Sequence, residues 1–567
     1  MDGPLDVDEI WKSLGTWGRY QRGQMFLCLI AVVPVAFQLL SVVFLVYRPP
    51  FECNVTTASD IFPHEDQNNS TYRFVYNKCT IDVFSNDTDF NSTLITSTDC
   101  VSGYTYDEPR DVSIVTEWNL FCDGGEKAEL TQTLVILGQG IGAVIFSTLA
   151  DMYGRKPVHI LCHIAMFAVS LCAAWSPNPA VFTALRFLIG AFQAGTGLTV
   201  AVAALESLPV NSRYLWEIAD LICWTTGCIL VAPVAYIFRN MSWRSMQIAF
   251  AVGSAYSLLE YWFLEESLRW LLANNKKDQA EKIIRMAARM NGKDFNSVIK
   301  AASTKAKEME TFLSNNITPA VTTPTSEACV VNDSKDDLKP TKPEKYNAFT
   351  IFQHKRILLN SLIIWYTWTT NSLVYYALYL GSTSLSGDRY INYFLMALVE
   401  YPAAASQWYS IKRYGRRKSC LIFHTLAGVS LAVSTVCLVY QDDIPELATV
   451  SLVFNFLGKY AITASFSTVF LYTPELYPTN LRSAGLGLAS MCSRAGGMLA
   501  PFATSVAGVV VWLPGAIFAA MCLLTVYLTS FLPETSGHEL PTTISELKLW
   551  YKANTGGRQK PKPVATA

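Results

Sequence analysis

Apolar residues run along this chain in long blocks separated by polar stretches, without the alternation of a strand or the spacing of a surface helix. The first block, Met25 to Val46, holds no charged residue. Comparable blocks lie at 130–150, 157–175, 179–205, 215–238, 243–264, 357–381, 388–411, 419–440, 446–473, 483–508 and 510–532, twelve in all. A block of about 18 or more residues is long enough to cross the hydrocarbon core as a helix. Unpaired peptide groups are costly in hydrocarbon, so such blocks form helices or a closed barrel, and barrel strands are far shorter. The pattern therefore predicts an all-α membrane protein with twelve transmembrane helices.

The polar stretches set the boundaries: an N-terminal segment 1–24, a first span 25–46, a loop 47–128, five spans within 129–264, a second loop 265–356, six spans within 357–532, and a tail 533–567. The first loop carries the sequons that begin at Asn54, Asn68, Asn69, Asn86 and Asn91, which predict an extracellular, glycosylated segment. It also holds Cys53, Cys79, Cys100 and Cys122, which in an oxidising compartment predict two disulfides, with three pairings open. Basic residues gather in the short loops holding Arg155-Lys156 and Arg416-Arg417-Lys418 and after Glu265, which places those loops, and both termini, in the cytoplasm. The first block is longer than a signal-peptide core and lacks a small-residue cleavage site. Within the second loop, 276–313 predicts amphipathic helix on the spacing of Ile283, Ile284, Met286, Ala287 and Met290, whereas 314–345, rich in Thr, Pro, Ser and Asp, predicts disorder.

Composition agrees: 51% of residues are hydrophobic and 16% charged, against about 25% charged in soluble domains. A formal net charge of −1 gives no case for nucleic-acid binding. The chain has no GxxxxGK[ST] loop for ATP, no catalytic triad, and no His/Cys spacing that suggests a metal, so neither an enzyme nor a cofactor is expected. Work done across a membrane would then draw on gradients, through a coupling ion such as Na+ or H+, a counter-substrate, or neither.

The loop 265–356 divides the blocks six and six, and the two halves repeat. Asp151-Met-Tyr-Gly154-Arg155-Lys156 returns as Lys412-Arg-Tyr-Gly415-Arg416-Arg417, an offset of 261 (415 minus 154). Glu206 precedes Arg213 by seven positions, as Glu475 precedes Arg482, an offset of 269 (475 minus 206). Phe263-Leu-Glu-Glu-Ser267 answers Phe531-Leu-Pro-Glu-Thr535 at 268 (531 minus 263). Parallel six-helix halves place a solute chamber at their interface and permit rocking between the two sides. The charged turns would latch one state and release in the other, with Asp151, Gly154, Arg155, Lys156, Glu206, Arg213, Arg416, Arg417, Glu475 and Arg482 as the gating set.

A charge kept inside a membrane span is a functional candidate, and two stand out: Glu400 in Val399-Glu-Tyr-Pro402 and Arg494 in Cys492-Ser-Arg-Ala-Gly-Gly497. A guanidinium offers a planar fork for a carboxylate, and Glu400 offers a counter-charge for an ammonium. The structural alternative is a salt bridge of these two with each other or with Arg186 and Glu206. Aromatic residues cluster in the seventh span at Trp365, Tyr366, Trp368, Tyr375 and Tyr376, where ring faces would attract an organic ammonium. Phe37, Gln38, Trp224 and Tyr236 are further wall candidates, with Asn371 and Asn455 as hydrogen-bonding ones; Gly138, Gly140, Gly142, Gly190, Gly195 and Gly197 are read as helix-approach residues.

Several of these segments resemble the major facilitator superfamily, and within it the organic cation, organic anion and carnitine transporters of solute carrier family 22. They are Gly18-Arg-Tyr-Gln-Arg22, Thr116-Glu-Trp-Asn-Leu-Phe-Cys122, Ala150-Asp-Met-Tyr-Gly-Arg-Lys156, Glu266-Ser-Leu-Arg-Trp-Leu271 and Pro474-Glu-Leu-Tyr-Pro-Thr-Asn-Leu-Arg482. The departures are Ser147 for a usual glycine, Leu268 for a frequent proline, and Lys412 for the aspartate of the second repeat. The resemblance implies that Glu400 stands where cation-transporting relatives keep a glutamate, and Arg494 where anion and carnitine transporters keep an arginine. It implies a plasma-membrane transporter of small organic ions working by alternating access, with zwitterionic amino-acid-derived or carnitine-like solutes foremost and organic anions or cations as alternatives. A channel or a ligand-sensing receptor with a transporter-like body is the competing class.

Overall fold

A computed structural model describes residues 5–55, 72–85, 94–209, 212–317, 349–478, 481–536, 544 and 546–547. Asn68, Asn69, Asn86, Asn91 and nearly all of 314–345 lie outside the described residues. In chain order the first half contains α1 (Val7–Ser13), α2 (Arg19–Leu40), α3 (Val42–Leu45), α4 (Ile114–Glu117), α5 (Gly125–Tyr153), α6 (Arg155–Ala174), α7 (Pro179–Glu206), α8 (Tyr214–Ile237), α9 (Trp243–Val252) and α10 (Ser257–Phe263). The connecting loop contributes α11 (Leu268–Ala273), α12 (Lys277–Asn291), α13 (Phe295–Ile317) and α14 (Thr350–Gln353). The second half contains α15 (Lys355–Gly381), α16 (Arg389–Leu398), α17 (Glu400–Tyr414), α18 (Arg416–Val439), α19 (Glu446–Glu475), α20 (Arg482–Leu499), α21 (Phe502–Val509) and α22 (Leu513–Thr529).

Every one of the twelve apolar blocks is helical, and among the described residues seven segments are by themselves long and apolar enough to cross a membrane: α2 with α3, then α5, α6, α7, α8, α18 and α19. Several of the others are broken, with identifiable causes. Pro402 has no N–H for the Leu398 carbonyl, and the helix divides there into α16 and α17. Pro501 leaves the Gly497 carbonyl to Ala500 instead, and α20 ends. The break before α17 makes Glu400 the first residue of a new helix in the interior of the block.

Within the halves the helices approach closely. A Cβ on Gly138 would overlap the Phe187 carbonyl of α7, and one on Gly190 would overlap the Val135 carbonyl of α5. Those two helices touch backbone to backbone, as small residues allow.

The segment 47–128 departs from the all-helical expectation. β1 (Glu52–Cys53) pairs antiparallel with β5 (Tyr104–Thr105), and β2 (Tyr72–Tyr76), β3 (Thr80–Ser85) and β4 (Leu94–Asp99) form an antiparallel meander. The four cysteines pair as Cys53–Cys100 and Cys79–Cys122, one pairing of the three left open by sequence.

At the opposite end α1, α11, α12 and α13 share an apolar cluster that includes Ile10, Trp11, Leu271, Ile284, Ala287 and Val298. Polar ties fix it: Arg269 meets Asp8 at 2.6 Å, and the Asn291 amide donates to the Leu14 carbonyl and to Gln21 while accepting from the Tyr20 N–H.

Candidate functional site

The last two turns of α15 build the centre. Tyr375 and Tyr379 stand four residues apart on one face of α15, and each hydroxyl donates to Glu400 Oε1 at 2.7 Å. Lys459 of α19 brings its ammonium to 3.0 Å from the same oxygen and lies over the Tyr375 and Tyr379 rings at 3.2 and 3.7 Å. The first half reaches this cluster through α8: Thr225 donates to Glu400 Oε2 at 3.4 Å, Trp224 Nε1 donates to the Tyr375 oxygen at 3.4 Å, and Thr226 meets Tyr401 at 2.7 Å. Glu400 is 2% exposed and Lys459 fully buried. As ammonium and carboxylate the two side chains offset each other's charge.

Arg494, half-buried on α20, crosses between halves differently. Its Nη1 donates to Gln139 Oε1 on α5, and the Gln139 amide donates to Gln193 at 2.8 Å. The Tyr376 ring lies beside Gly497 on the same helix. Fully buried Arg186 donates to the Gln38 carbonyl at 3.0 Å and to Gln132 at 3.4 Å. Among the described residues neither arginine has a carboxylate at ion-pair distance, so Glu400 and Arg494 pair neither with each other nor with Arg186 or Glu206. Asn371 is fully buried, and neither atom of its amide has a hydrogen-bond partner.

Other wall candidates are engaged elsewhere. Trp368 donates to Thr473 at 2.8 Å and packs on Phe466 and Phe470 within the second half. The Tyr366 hydroxyl reaches the Met521 carbonyl of α22 at 3.5 Å, and Asn455 donates to Ser434 at 2.6 Å. Phe37 sits edge-on to Phe250, while the Gln38 side chain donates to the Phe250 carbonyl and accepts from Ser170, so both serve the packing of the first half. Tyr236 packs against Tyr390 and beneath Arg239. The sequence reading missed Lys459, Tyr379 and Gln139. Lys459 was findable by the rule that found Glu400, because it is the sole charge between Leu447 and Thr473.

The repeated turns have repeated wiring. Arg155 pairs with Asp151 at 3.0 Å and with Glu206 at 3.2 Å; Arg416 pairs with Glu475 at 3.1 Å. Glu266 accepts from the N–H groups of Arg155 and Lys156, and Glu534 from that of Arg416, so each carboxylate sits on a helix N-terminus. Arg417 donates to the Ser530 carbonyl. Each glutamate of the Glu206/Arg213 and Glu475/Arg482 spacing takes the turn arginine, and Arg482 donates to the Pro474 carbonyl at 2.9 Å. Lys412 lies over Trp408 at 3.6 Å, so the second turn forms its glutamate pair without an aspartate.

The halves are also joined toward the disulfide-bonded end. Arg389 grips Glu108 with two bonds at 2.9 and 3.3 Å and covers Tyr47, Thr133 donates to the Met498 carbonyl at 3.0 Å, Ser505 donates to Glu129, and Phe44 packs on Tyr390 and Tyr393.

Residues 87–544 match the family described as "Sugar (and other) transporter". Organic cation/carnitine transporter 2 of Mus musculus is 30% identical over 564 residues, covering 96% of this chain and 94% of the relative. Solute carrier family 22 member 21 of Mus musculus is 30% identical over 566 residues, covering 96% and 93%. Solute carrier family 22 member 6-B of Xenopus laevis is 28% identical over 556 residues, covering 96% and 95%. In fold, the chain is similar to the partially occluded inward-open xylose transporter XylE from E. coli, with a TM-score of 0.58 and 12% identity over 92% of this chain and 100% of that one. The chain is a membrane transporter of the major facilitator superfamily and belongs to solute carrier family 22.

Proposed function

We propose that this protein carries small, carboxylate-bearing organic solutes across the plasma membrane by alternating access between two six-helix halves. The observation that carries this reading is the Lys459–Glu400 contact at 3.0 Å: the acidic residue at the centre already has an ammonium partner, so the interface holds a neutral pair and an arginine without a counter-ion. Arg494 spends one of its five N–H donors on Gln139, and its fork suits a solute carboxylate. Asn371, Tyr375, Tyr376 and Trp224 supply the polar and aromatic wall.

Zwitterions are the second reading, supported by the two tyrosine rings around the Lys459 ammonium and by relatives named for carnitine. A solute ammonium would displace that of Lys459 and take the same carboxylate and rings. The contacts at the disulfide-bonded end fit a form closed to the outside, with both termini in the cytoplasm and twelve spans. Uptake of a labelled dicarboxylate, carnitine and a quaternary ammonium by one expressed protein tests the proposal. Dicarboxylate or carnitine uptake supports it, and uptake of the quaternary ammonium alone sinks it.

A further inference from the structure

Away from the central interface, His159 and His163 of α6 and Glu260 of α10 close on one another inside the first half. The histidines stand four residues apart and so project from one face of their helix. Glu260 Oε2 lies 3.2 Å from His159 Nε2 and 2.8 Å from His163 Nδ1, and the three side chains are 2%, 1% and 0% exposed respectively. Their candidate ligand atoms all lie within 4.8 Å of one another.

The hydrogen positions can be counted. His159 Nδ1 faces the Thr196 carbonyl at 3.3 Å and Thr199 Oγ1 at 3.2 Å, and the Thr199 hydroxyl gives its hydrogen to the Gly195 carbonyl at 2.6 Å. Both neighbours of Nδ1 are therefore acceptors, and Nδ1 carries the hydrogen. With Nδ1 so occupied, Nε2 of a neutral ring would be a lone pair aimed at a carboxylate oxygen. Such a contact repels unless a cation lies between. Separations of 2.8–3.2 Å are a few tenths of an ångström shorter than the roughly 3.3–3.6 Å edge of a tetrahedron whose centre lies about 2.0–2.2 Å from each ligand, so an ion entering there would spread the three atoms slightly. A histidine that hands its other N–H to a carbonyl is also how proteins orient a ligating ring.

We propose that His159 Nε2, His163 Nδ1 and Glu260 Oε2 form a binding site for a divalent metal of the zinc class, with water in the fourth position. Two imidazoles and a carboxylate suit that class of ion. Bound there, it ties α6 to α10 and, through Thr196 and Thr199, to α7, beside the turn where Arg155 holds Glu206. The sequence reading expected no metal; its signal was the four-residue spacing in His159-Ile-Leu-Cys-His163.

The test uses the full chain purified in detergent, stripped by chelator and titrated with CoCl2. The expected result is one cobalt per chain with the intense visible absorption of a tetrahedral site, bleached by one equivalent of ZnCl2, together with a raised thermal midpoint. Glu260→Gln and His163→Ala should lose both signals. His163→Cys should keep the metal and add a thiolate-to-cobalt charge-transfer band, which hydrogen-bonded packing cannot produce and which keeps the test valid where His163→Ala fails to fold. Failure of the wild-type protein to bind more than about a tenth of an equivalent, or unchanged binding in monodisperse Glu260→Gln, overturns the proposal and leaves a proton as the bridging cation.

Discussion

Lys459 and Glu400 face each other at 3.0 Å inside the second half, closed over by the rings of Tyr375 and Tyr379. The carboxylate accepts from both tyrosine hydroxyls and from Thr225 across the interface, so one side chain joins α8, α15, α17 and α19. Burying two charges is expensive, and what offsets it is the set of partners as a whole.

Removing one member of that pair leaves the other buried and uncompensated. Lys459→Met should therefore destabilise the protein by about 3–5 kcal/mol, whereas the double variant Lys459→Met/Glu400→Gln should regain most of the loss. Thermal unfolding in detergent measures both. Equal destabilisation of the single and double variants would show that the charges act independently.

Loss of the Lys459 ammonium should also alter selectivity. With Lys459 gone, Glu400 presents an unneutralised carboxylate between two aromatic rings, an arrangement that attracts an organic ammonium. In cells showing surface-expressed protein, uptake of a quaternary ammonium relative to a dicarboxylate should rise in Lys459→Gln.

Arg494 tests the other sign. A hydrogen bond to a charged group contributes about 1.5–3 kcal/mol, which corresponds to roughly tenfold to a hundredfold in apparent affinity. Arg494→Ala should raise the KM for carboxylate-bearing solutes by that order at unchanged surface expression. Unchanged kinetics would remove Arg494 from the solute's path and leave it as a tie to Gln139.

Much of this architecture was legible because hydrocarbon is an unforgiving solvent. It admits few charges and no unpaired backbone, so blocks, breaks and the repeated Gly154 and Gly415 turns stand out in the chain. The central pair was only half legible. Glu400 was visible as a charge within a span, but its partner Lys459 lies 59 positions on (459 minus 400), and nothing local to either links them. The wall was legible in type but not in aim: Tyr366 and Trp368 belong to the same aromatic run as Tyr375, yet the helical twist turns Tyr366 to α22 and Trp368 to Thr473. The strands of the first loop escaped notice for the opposite reason, since a small sheet held by Cys53–Cys100 and Cys79–Cys122 needs little apolar pattern of its own.

Those disulfides give a fourth measurement. Peptide mapping without reduction should recover Cys53 linked to Cys100 and Cys79 linked to Cys122. Cys53→Ser should behave like Cys53→Ser/Cys100→Ser in surface delivery if the remaining thiol is inert; a worse single variant would indicate mispairing of the freed Cys100.

The charged turns carry the last prediction. Gly154 has φ +112°, a conformation unfavourable to any residue with a Cβ, and a Cβ there would overlap the Glu266 carboxylate. Gly415 repeats this at φ +86°, with Glu534 at 2.7 Å from such an atom. Each glycine lets the chain turn tightly enough for the carboxylate to reach the following helix N-terminus, while the arginine one position later holds Glu206 or Glu475. Gly154→Ala should therefore break the turn through backbone strain of about 1–2 kcal/mol and through loss of the Glu266 contacts, whereas Gly140→Ala, with nothing within 4 Å of its Cβ, should be silent. Glu206→Gln keeps the turn but weakens the pair with Arg155. If that pair holds one state of the rocking cycle, Glu206→Gln should change turnover more than equilibrium solute binding. Binding assays on purified protein set beside initial rates of exchange in liposomes separate the two, and a loss confined to binding would assign Glu206 to the architecture of the solute site instead.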